Sequence, residues 1–377
     1  MKILILNWRD IKNPSSGGAE ILTHEIAKRF VKWGHHVIQF SSQYPGCKEK
    51  EMIDGVEVIR KGNPDARRLF NSVHFLAFWY YLRKFKENVD IVIDEVHGIP
   101  FFTPWYVKEK KIILICEVAG NLWREIFGLF YGFIGLAIEK FYLRFMYKKL
   151  PYLTISNSTR DALVKNGVKD TDITVLPMGV SLPEKLSTFK KENSPTLAFL
   201  GRYSRYKGIE DAMLALKEVS KKYPKAKLWI VGRGDAGYRN KLVALSKRLE
   251  VHKQIFFFDF VSEEKKFELL ARSWILIHPS MAEGWGLNVI EANVVGTPAI
   301  GYNTGGLKDS IRHMETGLLT EENTPECLSR EVLRLMIDKP LYKRLSRNAV
   351  KWSKKFNWEE TAREAWKVIE KVYGEKN

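Results

Sequence analysis

Short apolar runs alternate with longer amphipathic stretches from the first residues onward. Ile3 to Leu6, Val37 to Phe40, Val56 to Ile59, Ile91 to Asp94, Ile112 to Cys116, Leu153 to Ser156 and Ile173 to Leu176 read as buried strands. Helical stretches separate them, so the strands are expected to pair in parallel in a doubly wound sheet. The pattern restarts with Leu197 to Leu200, Leu228 to Val231, Ile255 to Phe258, Ile275 to His278 and Ala299 to Tyr302, which predicts a second sheet. Pro177 to Pro183 and the polar, lysine-rich run up to Pro195 form the connection, with the boundary near residue 190. The expected organisation is α/β: a Rossmann-like domain over 1–190, a second over 191–357, and a last helix that needs a surface to cover. That helix runs from Trp358 to Tyr373, with Ala362, Ala365, Val368, Ile369 and Val372 at helical spacing, and the segment 358–377 is expected to pack back on the first domain.

Length and composition agree with this division. At 377 residues, 45% of them hydrophobic and 28% charged, the chain can bury two cores, and disorder is excluded for most of it. Cys47, Cys116 and Cys327 show neither metal-ligand spacing nor a disulfide framework and read as reduced. The start, Met1 to Asn7, turns polar too soon for a signal peptide, so a cytoplasmic location is expected. A net charge of +17 favours polyanions, anionic membranes or phosphorylated substrates.

Ile126 to Ile138 holds thirteen uncharged residues, among them Phe127, Phe130, Tyr131 and Phe133, and is followed by Lys140, Arg144, Lys148 and Lys149. It is too short to span a bilayer, which needs ~20 residues. Two readings stay open for 126–149: a buried helix with a solvated basic end, or an interfacial helix on an anionic membrane at the inner face of the cell.

Three segments carry parts of an anion site. A diphosphate needs backbone N–H donors, a helix N-terminus and fixed cations. Pro14 to Glu20 follows the first strand and contains Gly17 and Gly18, where the backbone can approach a ligand, although a plain turn explains the pair as well. Leu200 to Gly208 follows the first strand of the second half and places Arg202 and Lys207 at a strand tip and a helix start. His278 to Glu291 opens a helix, with Gly284 and Gly286 exposing N–H groups where the helix dipole is positive. Within it Glu283 lies on the loop and Glu291 about one turn into the helix, each able to accept from vicinal sugar hydroxyls.

On these residues the chain resembles the retaining glycosyltransferases of family 4, whose GT-B architecture has two Rossmann-like domains facing across a cleft. The resemblance covers nearly the whole chain, and its most specific part is the pair Glu283 and Glu291, with seven residues between them, the first opening Glu-Gly-Trp-Gly-Leu. It implies a hexosyltransferase that moves a hexose from a UDP- or GDP-sugar donor substrate, without cofactor or metal, to a saccharide or lipid-linked acceptor. It further implies that Glu291 binds the ribose and Glu283 the donor sugar at the reacting centre. Arg202 and Lys207 would hold the diphosphate, the backbone of Gly286 and Leu287 would contact phosphate or sugar, and Gly17 and Gly18 would close on the donor. The base would lie near Phe260 and Val261, beside the loop that begins at Gly232.

Many members carry a histidine after the strand that here ends in Cys116-Glu117. Its role passes to Glu117 or to His97, on the loop after the preceding strand, so the catalytic candidates are Glu283, His97 and Glu117. Asp170-Thr171-Asp172 resembles the metal triplet of other glycosyltransferases but sits in a polar turn, and no essential metal is expected. A GT-B sugar-nucleotide epimerase and a basic nucleic-acid-binding module are the competing readings. The second leaves the glycines and glutamates unexplained, so no nucleic-acid partner is expected.

Overall fold

The computed structural model describes residues 1–183 and 189–374, apart from the side chain of Leu69. The middle of the lysine-rich connection, 184–188, and the expected end of the last helix, 375–377, lie outside the described residues. Contacts divide the chain into two compact units, 1–179 with 357–377, and 180–356.

The first unit is built on eight strands. They are β1 (Lys2–Leu6), β2 (His36–Ser41), β3 (Lys50–Ile53), β4 (Val56–Arg60), β5 (Ile91–Val96), β6 (Lys110–Ile115), β7 (Tyr152–Thr154) and β8 (Ile173–Val175). Their order is β3-β4-β2-β1-β5-β6-β7-β8, parallel throughout except for the β3–β4 hairpin. The seven expected strands are all present. β3 lies at the sheet edge and is partly exposed, so it lacks the apolar run that marks the others. The expected Ser156 falls outside β7, because its hydroxyl accepts from Thr159 N at 3.1 Å and caps the helix Asn157–Lys165.

Helix α1 (Gly18–Lys32) and the final helix Trp358–Gly374 pack together on this sheet. The final helix buries Trp358, Ala362, Ala365, Ile369 and Val372. Its Trp366 stacks on His35 at 4.1 Å and meets Phe30 edge-on at 5.2 Å. Thr361 Oγ1 donates to Pro177 O, and a side chain at Gly179 would run into the Trp358 ring, so the chain up to 179 stays tied to the first unit.

The second unit holds β9 (Thr196–Leu200), β10 (Lys227–Val231), β11 (Ile255–Phe258), β12 (Ile275–His278), β13 (Ala299–Gly301) and β14 (Gly317–Leu319), all parallel, in the order β11-β10-β9-β12-β13-β14. Its core packs on both faces, around Leu216, Leu228 and Ile277 on one and Leu200, Leu276 and Val289 on the other. In each unit the winding reverses once, between β1 and β5 in the first and between β9 and β12 in the second. Crevices for ligands open at the carboxyl ends of strands at such reversals.

Candidate functional site

At the carboxyl end of β9 the chain passes through Gly201 and Arg202 to Lys207, then into the helix Ile209–Lys222. At the end of β12 it passes through His278 and Glu283 to Gly286, the N-cap of the eight-residue helix Leu287–Val294. Parallel pairing of β9 with β12 puts these loops side by side, and Asn288 Nδ2 donates to Leu200 O at 2.7 Å across them. Lys207 Nζ lies 2.6 Å from Glu283 Oε2, and His278 Nε2 lies 3.0 Å from the same oxygen. Burial pushes the Glu283 carboxyl up, but the Lys207 charge and the His278 bond outweigh it and hold the group well below the usual carboxylate range. Glu283 is therefore an anion at neutral pH. Arg202 is exposed beside this pair and donates from Nη2 to Tyr206 OH at 3.2 Å.

Gly286 has φ +87°, and a Cβ there would sit 2.8 Å from Leu307 Cδ2, so only glycine starts the helix without strain. The helix leaves its first N–H groups, including that of Leu287, without intrahelical partners. Glu291, one turn on, is buried; Lys266 Nζ is 2.7 Å from its Oε1, while its Oε2 is buried and accepts no hydrogen bond among the described residues. A buried carboxylate oxygen in that state is an acceptor ready for a hydroxyl. Gly232, after β10, has φ +144°, and a Cβ would lie 2.0 Å from Gly201 O, so this loop is pressed onto the Arg202 loop. Val261 packs against the second core next to exposed Phe260, over which Arg233 lies at 5.0 Å. The second unit thus gathers Arg202, Lys207, Gly232, Glu283, Gly286, Leu287 and Glu291 around the reversal of its sheet.

The reversal in the first unit holds a polar cluster. Glu95, at the end of β5, is buried and accepts from Asn7 Nδ2 at 2.5 Å and from Thr23 Oγ1, while His97 Nε2 lies 2.8 Å from its other oxygen. The His97 ring stacks on Trp8 at 5.4 Å, and the Arg9 guanidinium lies over the Trp8 ring, 3.8 Å from its centroid. Burial would lower the His97 pKa, but Glu95 overrides it and the imidazole pKa is raised; burial raises that of Glu95. Cys116, whose thiol burial pushes well up, feels the charges of Glu95, Glu20 and Glu117, so Glu117 belongs to the same neighbourhood. Gly17 and Gly18 begin α1 beside it, and the Gly17 N–H is already taken by Glu20 Oε2 at 2.7 Å. That carboxylate competes with any ligand for the Gly17 donor.

Sequence reasoning missed several of these partners. His278, which the sequence marks only as the end of a strand, is a direct partner of Glu283, and Lys266 is the partner of Glu291. Gly305 and Gly306 support the Glu283 loop, with Gly306 N donating to Glu283 O at 2.7 Å. In the first unit the roles of Asn7 and Glu95 are not legible locally, because each bonds a residue on another element. Asp170-Thr171-Asp172 forms a short 3-10 turn, with Asp170 paired to both arms of Arg160. Among the described residues no group of three or more His, Cys, Asp or Glu side chains is placed to hold a metal ion.

Two parallel α/β domains, one with cations, a helix N-terminus and paired glutamates at its switch point, define a nucleotide-dependent transferase of the GT-B class. Residues 16–183 match the family model described as Glycosyltransferase Family 4, and residues 183–352 match that of the Glycosyl transferases group 1. The chain belongs to this family of glycosyltransferases, enzymes that transfer a sugar from a nucleotide sugar. It is 24% identical to an uncharacterized glycosyltransferase of Methanocaldococcus jannaschii, over 98% of this chain and 97% of that one. Among solved structures, sucrose-phosphate synthase from Thermosynechococcus elongatus superposes with a TM-score of 0.80 at 19% identity, covering 99% of each chain. Anabaena HepE in complex with UDP-glucose superposes with a TM-score of 0.75 at 16% identity, covering 98% of this chain and 100% of the other. These two likenesses establish the fold.

Proposed function

We propose that this chain is a retaining hexosyltransferase that uses a UDP- or GDP-hexose and transfers the hexose to an acceptor hydroxyl on a saccharide or lipid-linked saccharide. The observation that carries the reading is the second unit's switch point. There Glu283 is fixed as an anion by Lys207 and His278, beside a glycine-capped helix start and a buried Glu291 oxygen that accepts no bond among the described residues. In this reading Glu291 Oε2 accepts from a ribose hydroxyl, and Glu283 accepts from hydroxyls of the donor sugar. Lys207, Arg202 and the N–H groups from Leu287 onward neutralise the diphosphate. The bond from C1 to the diphosphate breaks, and the nucleotide leaves with the electron pair. The acceptor oxygen bonds C1 from the same face, and its proton passes to the departing phosphate oxygen. Charge stabilisation of the leaving group is the main catalytic contribution, and lysine, arginine and the helix dipole supply it without a metal.

The first unit's cluster of Glu95, His97 and Glu117 is proposed to bind the acceptor, with His97 oriented by Glu95. The cysteines Cys47, Cys116 and Cys327 are free thiols, in keeping with a cytoplasmic setting where nucleotide sugars are at hand.

The test is a thermal-shift comparison of UDP, GDP and ADP. A ligand at a hundred times its dissociation constant adds about 2.7 kcal/mol, and Glu291→Ala should abolish the shift of the preferred nucleotide. A shift that survives unchanged would remove the ribose role. HepE was captured with UDP-glucose, so that donor is the first to try for turnover. The product's anomeric configuration, read by NMR, decides retention, and turnover that persists in EDTA is the expected result.

A further inference from the structure

The helix that the sequence left open is α-helical over Leu122–Phe141 and continues to Met146, a 25-residue element long and apolar enough to cross a membrane by composition. Its geometry excludes a straight span. Gly128 breaks it at φ +75°, ψ −179°, and the arm before the break folds back on the arm after it. A Cβ at Gly132 would lie 2.5 Å from Arg124 Cα, and one at Gly135 would lie 2.4 Å from the Trp123 ring. On the arm from Leu129 to Met146 one face is fixed to the protein. Glu139 is buried and accepts from the N–H groups of Ala119 and Gly120 at 2.8 and 2.7 Å, and Tyr142 and Leu143 enter the core with Ile113 and Tyr152.

The opposite face carries a stripe at helical spacing. Phe130, Ile134, Phe141 and Phe145 are all exposed, Phe130 and Phe145 at 73% each. Beside it runs a row of exposed cations, Lys140, Arg144 and Lys148. An exposed aromatic stripe of this extent marks an interaction surface. The cation row selects its partner: a protein core does not supply a plane of negative charge along the edge of an apolar slab, whereas an anionic bilayer does.

We propose that the exposed face of the arm Leu129 to Met146 lies flat in the interface of an anionic membrane, with Phe130, Ile134, Phe141 and Phe145 among the upper acyl chains and Lys140, Arg144 and Lys148 on lipid phosphates. The surface stands on geometry separate from the donor site of the second unit. The chain attaches to one leaflet and does not cross it.

Co-sedimentation tests this with vesicles of phosphatidylcholine alone and of phosphatidylcholine with 30% phosphatidylglycerol. The full chain should pellet with the anionic vesicles at low salt, stay largely in the supernatant with the neutral ones, and be released as salt rises. The pair Phe130→Ser with Phe145→Ser, and separately the pair Lys140→Glu with Arg144→Glu, should each weaken anionic-vesicle binding at least tenfold. Both pairs should leave the nucleotide-induced thermal shift as in the parent chain. The charge-reversal pair leaves every apolar side chain in place, so it keeps the test decisive if the serine pair fails to fold. No pelleting at low salt, equal pelleting with neutral vesicles, or unchanged pelleting of both variants would each overturn the proposal. So would a concentration-dependent dimer in sedimentation velocity that the serine pair abolishes, which would give the stripe to a second copy.

Discussion

Glu283 shows how one side chain serves folding and chemistry together. Its pKa is held below the ordinary 4.5, so the stability it contributes is fully present above pH 4.5 and is lost as the pH falls below that value toward the lower folded pKa. Glu283→Gln removes this dependence. The gap in melting temperature between parent and variant should therefore shrink as the pH is lowered from 5 to 3, and a constant gap would argue against a charged Glu283. Lys207→Met leaves the carboxylate with His278 and without its ammonium partner, and should cost about 3 kcal/mol, in the range for breaking a buried pair. The Glu95–His97 pair has the opposite sign. His97 keeps its proton above its ordinary 6.5, so its contribution is complete below pH 6.5 and fades as the pH rises through the raised folded value. Glu95→Gln takes away the charge that overrides burial. The His97 imidazole resonance should then titrate at lower pH than in the parent, and an unmoved titration would show that Glu95 does not set it.

At the scale of elements, the helix that opens at Gly286 is where local conformation and ligand chemistry meet. Gly286→Ala puts a Cβ at φ +87° and 2.8 Å from Leu307, which should cost roughly 1–3 kcal/mol and misalign the N–H groups of the first turn. A calorimetric titration should show the nucleotide weakened by more than the loss of stability alone explains, because folding energy is felt everywhere but donor alignment only by the ligand. The glycines, the two glutamates and the strand before them were legible in the sequence because they lie in one continuous segment. Two of the edge strands, β3 and β14, were not, whereas the edges β8 and β11 carry apolar runs that mark them. β3 carries Lys50 and Glu51 and is held by the turn at Asp54 and Gly55, with φ +48° and +82°, a pair that joins two-residue hairpins. β14 has three residues, too few to show a period. Lys266 and Glu95 were out of reach for another reason: each bonds a partner on a different element, and the packing that brings them together is not written in any local pattern, whereas His278 lies five residues from Glu283 on the segment already marked.

For the whole molecule the last helix matters most, because the chain returns through it to the unit it left at Gly179. Trp358, Ile369 and Val372 are buried there together with Ala362 and Ala365, over a wall that includes Ile26, Phe30 and Leu114. At roughly 1.5–3 kcal/mol for each large apolar side chain, the three large ones contribute on the order of 6 kcal/mol, as an upper estimate. A domain's entire stability is about 5–15 kcal/mol. A chain ending at Phe356 should consequently lose the first unit's cooperative unfolding transition or shift it far down, with the exposed wall promoting aggregation. The second unit, 180–356, keeps all six of its strands and the Glu283–Lys207 pair in that truncation, so its transition should persist and still rise with the preferred nucleotide. Two calorimetric transitions in the full chain, of which truncation removes one and nucleotide raises the other, are the expected result. A nucleotide response lost along with the helix would mean that donor binding depends on the first unit.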